Sequence, residues 1–277
     1  MSIPRRVKTA GLTVNSRIEG SGPPLLYLGG SNFDLSIKAT VFDSDLTKHF
    51  TVAAFDPRGL GRTDSPEGDW TMQDYAQDAL HVLDAMSWDN VSVLGESFGA
   101  MVALHLAVLA PQRINRLALA ACSPGGAGGS SYPIETFLGI ADPLERASAQ
   151  LNVLDTRFIA LLKKDPNEAA LRVQTRANKD AKFMASHNNR NGYPRLLQAR
   201  AQHDCWTHLP QLTAPTLIFA GRHDNQAPID RAQSMVQAIP NATLHIIDGC
   251  HGHCFLSPQP VAKIIERWAT ETLELAL

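Results

Sequence analysis

A chain of 277 residues, 44% hydrophobic and 19% charged, is long enough for one α/β domain carrying an insertion and too apolar to be a disordered chain. A formal net charge of −2 sets up no global field toward nucleic acid or acidic membranes, so neither is expected as a partner. No apolar run of signal-peptide or membrane-spanning length occurs, which reads as a cytoplasmic protein. Four cysteines, Cys122, Cys205, Cys250 and Cys254, do not look like a disulfide framework, and reduced thiols are the expectation.

Residues 5–19 alternate loosely around Gly11, as a hairpin of edge strands does, and the turn Gly20-Ser21-Gly22-Pro23-Pro24 ends them. Residues 25–28 (LLYL) and 51–55 (TVAAF) are short apolar runs, the pattern of strands buried on both faces. The first leads into Gly29-Gly30-Ser31-Asn32, the second into Asp56-Pro57-Arg58-Gly59-Leu60-Gly61-Arg62-Thr63-Asp64. Gly59-x-Gly61 after a strand suggests a phosphate loop, but no third Gly arrives and Asp64 would repel a phosphate. The block reads as a turn tied down by Asp56 and Arg58. Thr71 with Asp74 is close to a capping box and opens a helix on which Tyr75, Ala79, Val82, Leu83 and Met86 recur at helical spacing.

Residues 91–110 (VSVLGESFGAMVALHLAVLA) read as strand, sharp turn and helix around Gly95-Glu96-Ser97-Phe98-Gly99. So abrupt a turn strains its central residue and brings the flanking chain so close that only Gly fits two places to either side. The Ser97 hydroxyl is thereby lifted clear of the sheet edge.

Residues 117–121 (LALAA) form one more strand, and the Gly cluster at 124–131 (PGGAGGSS) reads as a hinge or linker because no Lys-Ser/Thr pair follows it. From residue 132 to about 209 helix signals take over. Asp142-Pro143-x-Glu145 and Asp165-Pro166-x-Glu168 are each an Asp cap, a Pro at the first helical position and an acid in the first turn. His187, His203 and His208 lie here without partner spacing and read as surface or packing residues. Strands resume at 215–220 (PTLIFA), before Gly221-Arg222-His223-Asp224-Asn225-Gln226-Ala227-Pro228, and at 243–247, before Asp248-Gly249-Cys250-His251-Gly252-His253-Cys254. Residues 259–277 close the chain as a helix. The Cys/His run invites a metal, but four donors within five residues point apart, and no distant cluster to complete a site is evident. No metal is expected.

With these blocks in this order the chain resembles the α/β-hydrolase family, whose nucleophile elbow is G-x-S-x-G. The resemblance implies a mostly parallel central sheet with helices on both faces, a core formed by residues 1–124 and 210–277, and a helical cap over the active site at 125–209. It makes Ser97 the nucleophile and the backbone amides of Ser31 and Phe98 the oxyanion donors, although Gly29-Gly30-Ser31 stands where the family writes His-Gly-x. Residues 56–63 are close to the family's D-x-R-G-x-G-x-S block. Asp224 matches the catalytic acid in G-x-x-D-x-x-x-P. Two histidines compete as the base, and His253 is preferred because Gly252 precedes it and Pro260 follows seven residues on. Such a triad needs no cofactor. It leaves open carboxylesterases, enol-lactonases, C–C bond hydrolases and cofactor-free haloperoxidases, with cleavage of an ester or lactone of a small, partly apolar substrate asking least of the site. A receptor that holds a small ligand without turnover is the reading from another class, and a second copy of the chain is the one macromolecular partner left open.

Overall fold

The computed structural model of the protein describes residues 5–36, 41–252 and 257–274. Eight strands, β1 (Arg5–Lys8), β2 (Thr13–Gly20), β3 (Pro24–Leu28), β4 (Thr51–Phe55), β5 (Val91–Glu96), β6 (Ile114–Ala120), β7 (Thr216–Gly221) and β8 (Ala242–Ile247), form one sheet. Their order is β1-β2-β4-β3-β5-β6-β7-β8. β2 runs antiparallel to β1 and β4, and every pairing from β4 onward is parallel. The hairpin and the buried strands read from the sequence are all present.

Eight α-helices accompany the sheet among the described residues: α1 (Met72–Ala85), α2 (Phe98–Leu109), α3 (Pro143–Leu154), α4 (Phe158–Lys164), α5 (Pro166–Met184), α6 (His187–Ala201), α7 (Ile229–Ala238) and α8 (Pro258–Glu274). Successive strand residues point to opposite faces, and the core divides accordingly. Ala53, Val93, Leu117, Leu119 and Ile218 belong to the cluster that includes α1, α2 and α7 residues. Val52, Leu94, Ala118, Leu217 and Phe219 belong to the one that Val261, Ile264 and Trp268 of α8 complete. Both faces are therefore dry, which is why the strands read as continuous apolar runs rather than alternating ones. None of the helices among the described residues is long and apolar enough to cross a membrane.

The helix starts follow local chemistry. Thr71 and Asp74 form both halves of a capping box, and the side chains of Asp142 and Asp165 accept from the first-turn amides of α3 and α5, each with Pro at the first position. Helices α3 to α6 all fall between β6 and β7.

Two expectations change. Asp56 does tie its turn, accepting from the amides of Arg62 at 2.8 Å and Leu35 at 2.6 Å, but Arg58 instead reaches α1. Its guanidinium grips the buried Asp78 with Nε to Oδ2 at 2.6 Å and Nη2 to Oδ1 at 2.8 Å, a two-pronged geometry suited to a carboxylate. The cluster at 124–131 is a packed turn rather than a linker. Gly125 bridges to Asp204, and a Cβ on Gly128 would lie 2.2 Å from the Trp206 ring.

Helix α6 is bound to the core by two asparagines. Asn189, 1% exposed, donates to Asp34 Oδ2 at 2.9 Å and accepts from the Gly61 amide at 2.7 Å, while Asn188 donates to the Thr63 carbonyl at 2.7 Å.

The seat of α2 on the sheet gives a direct test of packing. A Cβ on Gly99 would stand 2.0 Å from the Leu28 carbonyl oxygen, whereas one on Gly139 meets nothing within 4 Å. Gly99→Ala is therefore expected to destabilise the protein by about 3 kcal/mol or more and Gly139→Ala to change stability by less than about 0.5 kcal/mol, both read from urea denaturation midpoints. Equal midpoints for the two would remove close packing at Gly99 as the constraint.

Candidate active site

Ser97 sits between the end of β5 and the start of α2 with φ 53° and ψ −115°. For a residue with a Cβ this is a strained conformation, worth roughly 1–3 kcal/mol. Its surroundings impose it. A Cβ on Gly95 would meet the backbone of Ala100 at 2.5 Å, and Gly99 has no room beneath the Leu28 carbonyl. The Ser97 amide donates to the Ala120 carbonyl at 2.8 Å, and Phe98 through Ala107 are all buried.

The segments after β7 and β8 run side by side beyond the strands themselves. The Arg222 amide donates to the Ile247 carbonyl at 2.8 Å and the His223 amide to the Gly249 carbonyl at 2.9 Å. This continued ladder sets residue 251 opposite Asp224. His251 Nδ1 lies 2.8 Å from Asp224 Oδ2, and His251 Nε2 lies 3.0 Å from Ser97 Oγ. All three side chains belong to buried residues. Among the described residues the histidine at this position is His251; His253, which the Gly-His pattern favoured, lies outside the described residues. Asp224 is held in turn by the amides of Gln226 and Ala227, both donating to Oδ1 at 2.8 Å. With Nδ1–H donated to the carboxylate, the bare Nε2 faces the serine, an arrangement that can remove a proton from an alcohol as it attacks a carbonyl.

The loop after β3 lies against Ser97, since a Cβ on Gly30 would be 3.8 Å from the Ser97 Cβ. Neither the Ser31 amide, next in that loop, nor the Phe98 amide, first in α2, has a hydrogen-bond acceptor among the described residues.

Three neighbours escaped the sequence. The Gln226 side-chain amide lies 2.9 Å from His251 Nε2, so it shares the face of the imidazole that meets Ser97. Glu96 accepts from the Tyr27 hydroxyl at 2.8 Å; burial raises its carboxyl above the ordinary range, and the Tyr27 bond works in the opposite direction. Tyr193 of α6 lines the same cavity as Ser31. Gln226 and Glu96 fall at variable places of their motifs, and Tyr193 lies far from any, so no local pattern marks them.

A cavity of about 1160 Å³ opens over Ser97 and His251. Its walls come mainly from the helices between β6 and β7: Phe137, Leu151, Leu154 and Phe158 are apolar, while Arg172, Arg176 and Lys179 form a basic stripe along α5. Arg172 pairs with Glu168 at 2.8 Å, and Arg176 with Asp180 at 3.2 Å. The end of α3 is joined to both loops that carry the acid and the base. The Asn225 amide donates to the Val153 carbonyl at 3.2 Å and the His251 amide to the Leu154 carbonyl at 2.9 Å, giving partners to carbonyls a helix C-terminus leaves open.

Fold and site together define a class, and the chain belongs to the α/β-hydrolase fold family, which matches residues 23–258. Among proteins of known activity it is 28% identical to a 2-hydroxymuconate semialdehyde hydrolase of Pseudomonas putida, covering 97% of this chain and 95% of that one. It is 26% identical to a poly(3-hydroxyalkanoate) depolymerase of Ectopseudomonas oleovorans, with 92% and 87% covered. The enol-lactonase from Burkholderia xenovorans LB400 has the same fold, with a TM-score of 0.72 at 22% identity over 98% of this chain and 99% of that one.

Cys250 also lines the cavity. Burial above all, with Asp155 beside it, pushes its thiol up to about 11. A raised thiol stays protonated, and therefore unreactive, until the pH approaches that value. In a Cys254→Ser background, iodoacetamide at pH 8 is expected to alkylate Cys250 about two orders of magnitude more slowly than free cysteine, with the rate climbing about tenfold per pH unit above that. Peptide mass spectrometry gives the rates. Alkylation at the speed of free cysteine would contradict the protonated thiol.

Proposed function

We propose that this chain is a serine-dependent hydrolase that cleaves a carboxylic ester or lactone of a small, partly apolar substrate through an acyl-enzyme. The observation that carries the reading is the unbroken hydrogen-bond path from Asp224 through His251 to Ser97 beneath a cavity large enough for such a substrate. His251 takes the Ser97 proton as Oγ adds to the substrate carbonyl, and Asp224 stabilises the imidazolium that forms. The amides of Ser31 and Phe98 receive the negative charge on the carbonyl oxygen, each worth about 3 kcal/mol of barrier. His251 then protonates the leaving alkoxide, and in a second cycle it deprotonates the water that releases the acid. No cofactor enters either half. Residues 125–209 serve as a cap whose apolar and basic walls select the substrate.

A second reading is favoured by one observation of its own. Relatives named as hydrolases of 2-hydroxymuconate semialdehyde and of 2-hydroxy-6-oxo-2,4-heptadienoate act on substrates that carry oxygen functions at both ends, and the stripe Arg172, Arg176 and Lys179 would suit a carboxylate at one of them. In that case the same groups add to a ketone and the leaving group is carbon, protonated as the C–C bond breaks.

Two experiments test the proposal. Ser97→Ala and His251→Ala are each expected to lose about ten-thousandfold in kcat, while His253→Ala stays within about tenfold of the parent; loss in His253→Ala with retention in His251→Ala would reverse the assignment of the base. Turnover of p-nitrophenyl esters of increasing acyl length, of lactones and of a 2-hydroxy-6-oxo-dienoate then separates the two readings. Appreciable kcat/KM for esters or lactones with none for the dienoate supports the first, the converse supports the second, and no Ser97-dependent turnover of any of them would sink both.

A further inference from the structure

A second cluster of reactive side chains lies on α2, buried and apart from the catalytic cavity. His105, eight residues after Ser97 on the same helix, is 7% exposed. His203 and Cys205, on the segment that follows α6, are 6% and 1% exposed. One donor atom from each of the three residues lies within 4.8 Å of the other two. The tautomer of His203 follows from its partner: Nε2 lies 2.9 Å from the Ser123 carbonyl, which can only accept, so Nε2 carries the proton and Nδ1 is a bare lone pair. That lone pair points at His105 Nε2 from 3.1 Å. Two nitrogens bound to one tetrahedral zinc at about 2.0–2.1 Å stand about 3.3 Å apart, so the imidazoles already have nearly the separation that a shared ion requires. A backbone carbonyl holding the far nitrogen is also the usual outer support of a metal-bound histidine.

We propose that His105, His203 and Cys205 form a buried binding site for a thiophilic divalent cation of the zinc class. Two imidazoles and one thiol are donors of the kind that zinc takes in structural sites. Binding proceeds by loss of the Cys205 thiol proton to solvent, while the proton between the two histidines moves to His105 Nδ1. Nothing is oxidised or reduced.

The location gives the ion a structural part. The segment bearing His203 and Cys205 already meets the turn after β6, where the Cys205 amide donates to the Pro124 carbonyl at 2.9 Å and Asp204 bridges to Gly125. A bound cation would join this junction to α2, fixing the return of the helical segment to the helix that carries Ser97 at its head.

The test uses the full chain, reduced and stripped with a chelator, titrated with cobalt(II) as an optical stand-in and then with zinc(II). One equivalent of cobalt is expected to produce a sulfur-to-cobalt charge-transfer band that disappears in Cys205→Ser and in His203→Gln and survives in Cys250→Ser and His251→Gln. Zinc at a hundred times its dissociation constant should raise the thermal midpoint by about 5 °C. Absence of the band in the parent protein overturns the proposal without reference to any variant. A band that instead follows Cys250 and His251 overturns it as well, because the metal would then be at the catalytic histidine. Circular dichroism of the variants keeps loss of binding distinct from loss of fold.

Discussion

The contact on which the arrangement depends is the approach of Gly99 to the Leu28 carbonyl, where the bare Cα leaves no space for a single methyl group. It presses the first turn of α2 onto the end of β3 and forces the chain from β5 to reverse within one residue. Ser97 takes the consequence as a positive φ. The strain is offset by the burial of ten consecutive residues of α2, each apolar one worth about 1–3 kcal/mol when withdrawn from water. A helix buried over its first ten residues thus holds a polar side chain in a conformation it would not adopt alone, and the serine stays at the floor of the cavity whatever occupies it.

Where structure rests on neighbours in sequence, it was legible. Buried strands announced themselves as apolar runs because both faces of the sheet are covered. Helix starts were visible because a cap and its amide lie three residues apart, as with Thr71 and Asp74. The elbow was visible for the same reason, its two glycines flanking Ser97. Illegible features depend on pairings that the chain order conceals. That His251 meets Ser97 follows from the ladder between the segments after β7 and β8, not from the residues around it, so no local pattern marks it. Arg58 was read as holding its own turn because its partner Asp78 lies a helix away. His203 was read as a packing residue because His105, its partner, is 98 positions earlier.

The two polar clusters on α2 differ in their access to water, and the difference sets their chemistry. At the head of the helix, the Ser97 and His251 side chains border a large cavity, so their hydrogen bond is open to whatever enters it. Two turns further on, the imidazoles of His105 and His203 are enclosed, with a backbone carbonyl and a thiol as neighbours. Enclosure keeps these rings uncharged across the ordinary pH range. Imidazole is thus present in two settings on one helix: one in which proton movement is possible, and one in which it is suppressed and only the lone pair remains useful.

The hydrogen bonds from Asn225 and His251 to the last carbonyls of α3 carry a consequence for how such a protein can diverge. A pocket wall hung on free loops could be exchanged without touching the reacting groups. Here the wall is sewn at its C-terminal end to both the strand-end turn that holds Asp224 and the one that holds His251. Insertions or deletions near residues 153–156 would move the wall and the imidazole together, whereas the basic stripe on α5, two helices further along, can be rewritten residue by residue. Selectivity is therefore free to drift along α5 while the end of α3 is held fixed by the same bonds that position the chemistry.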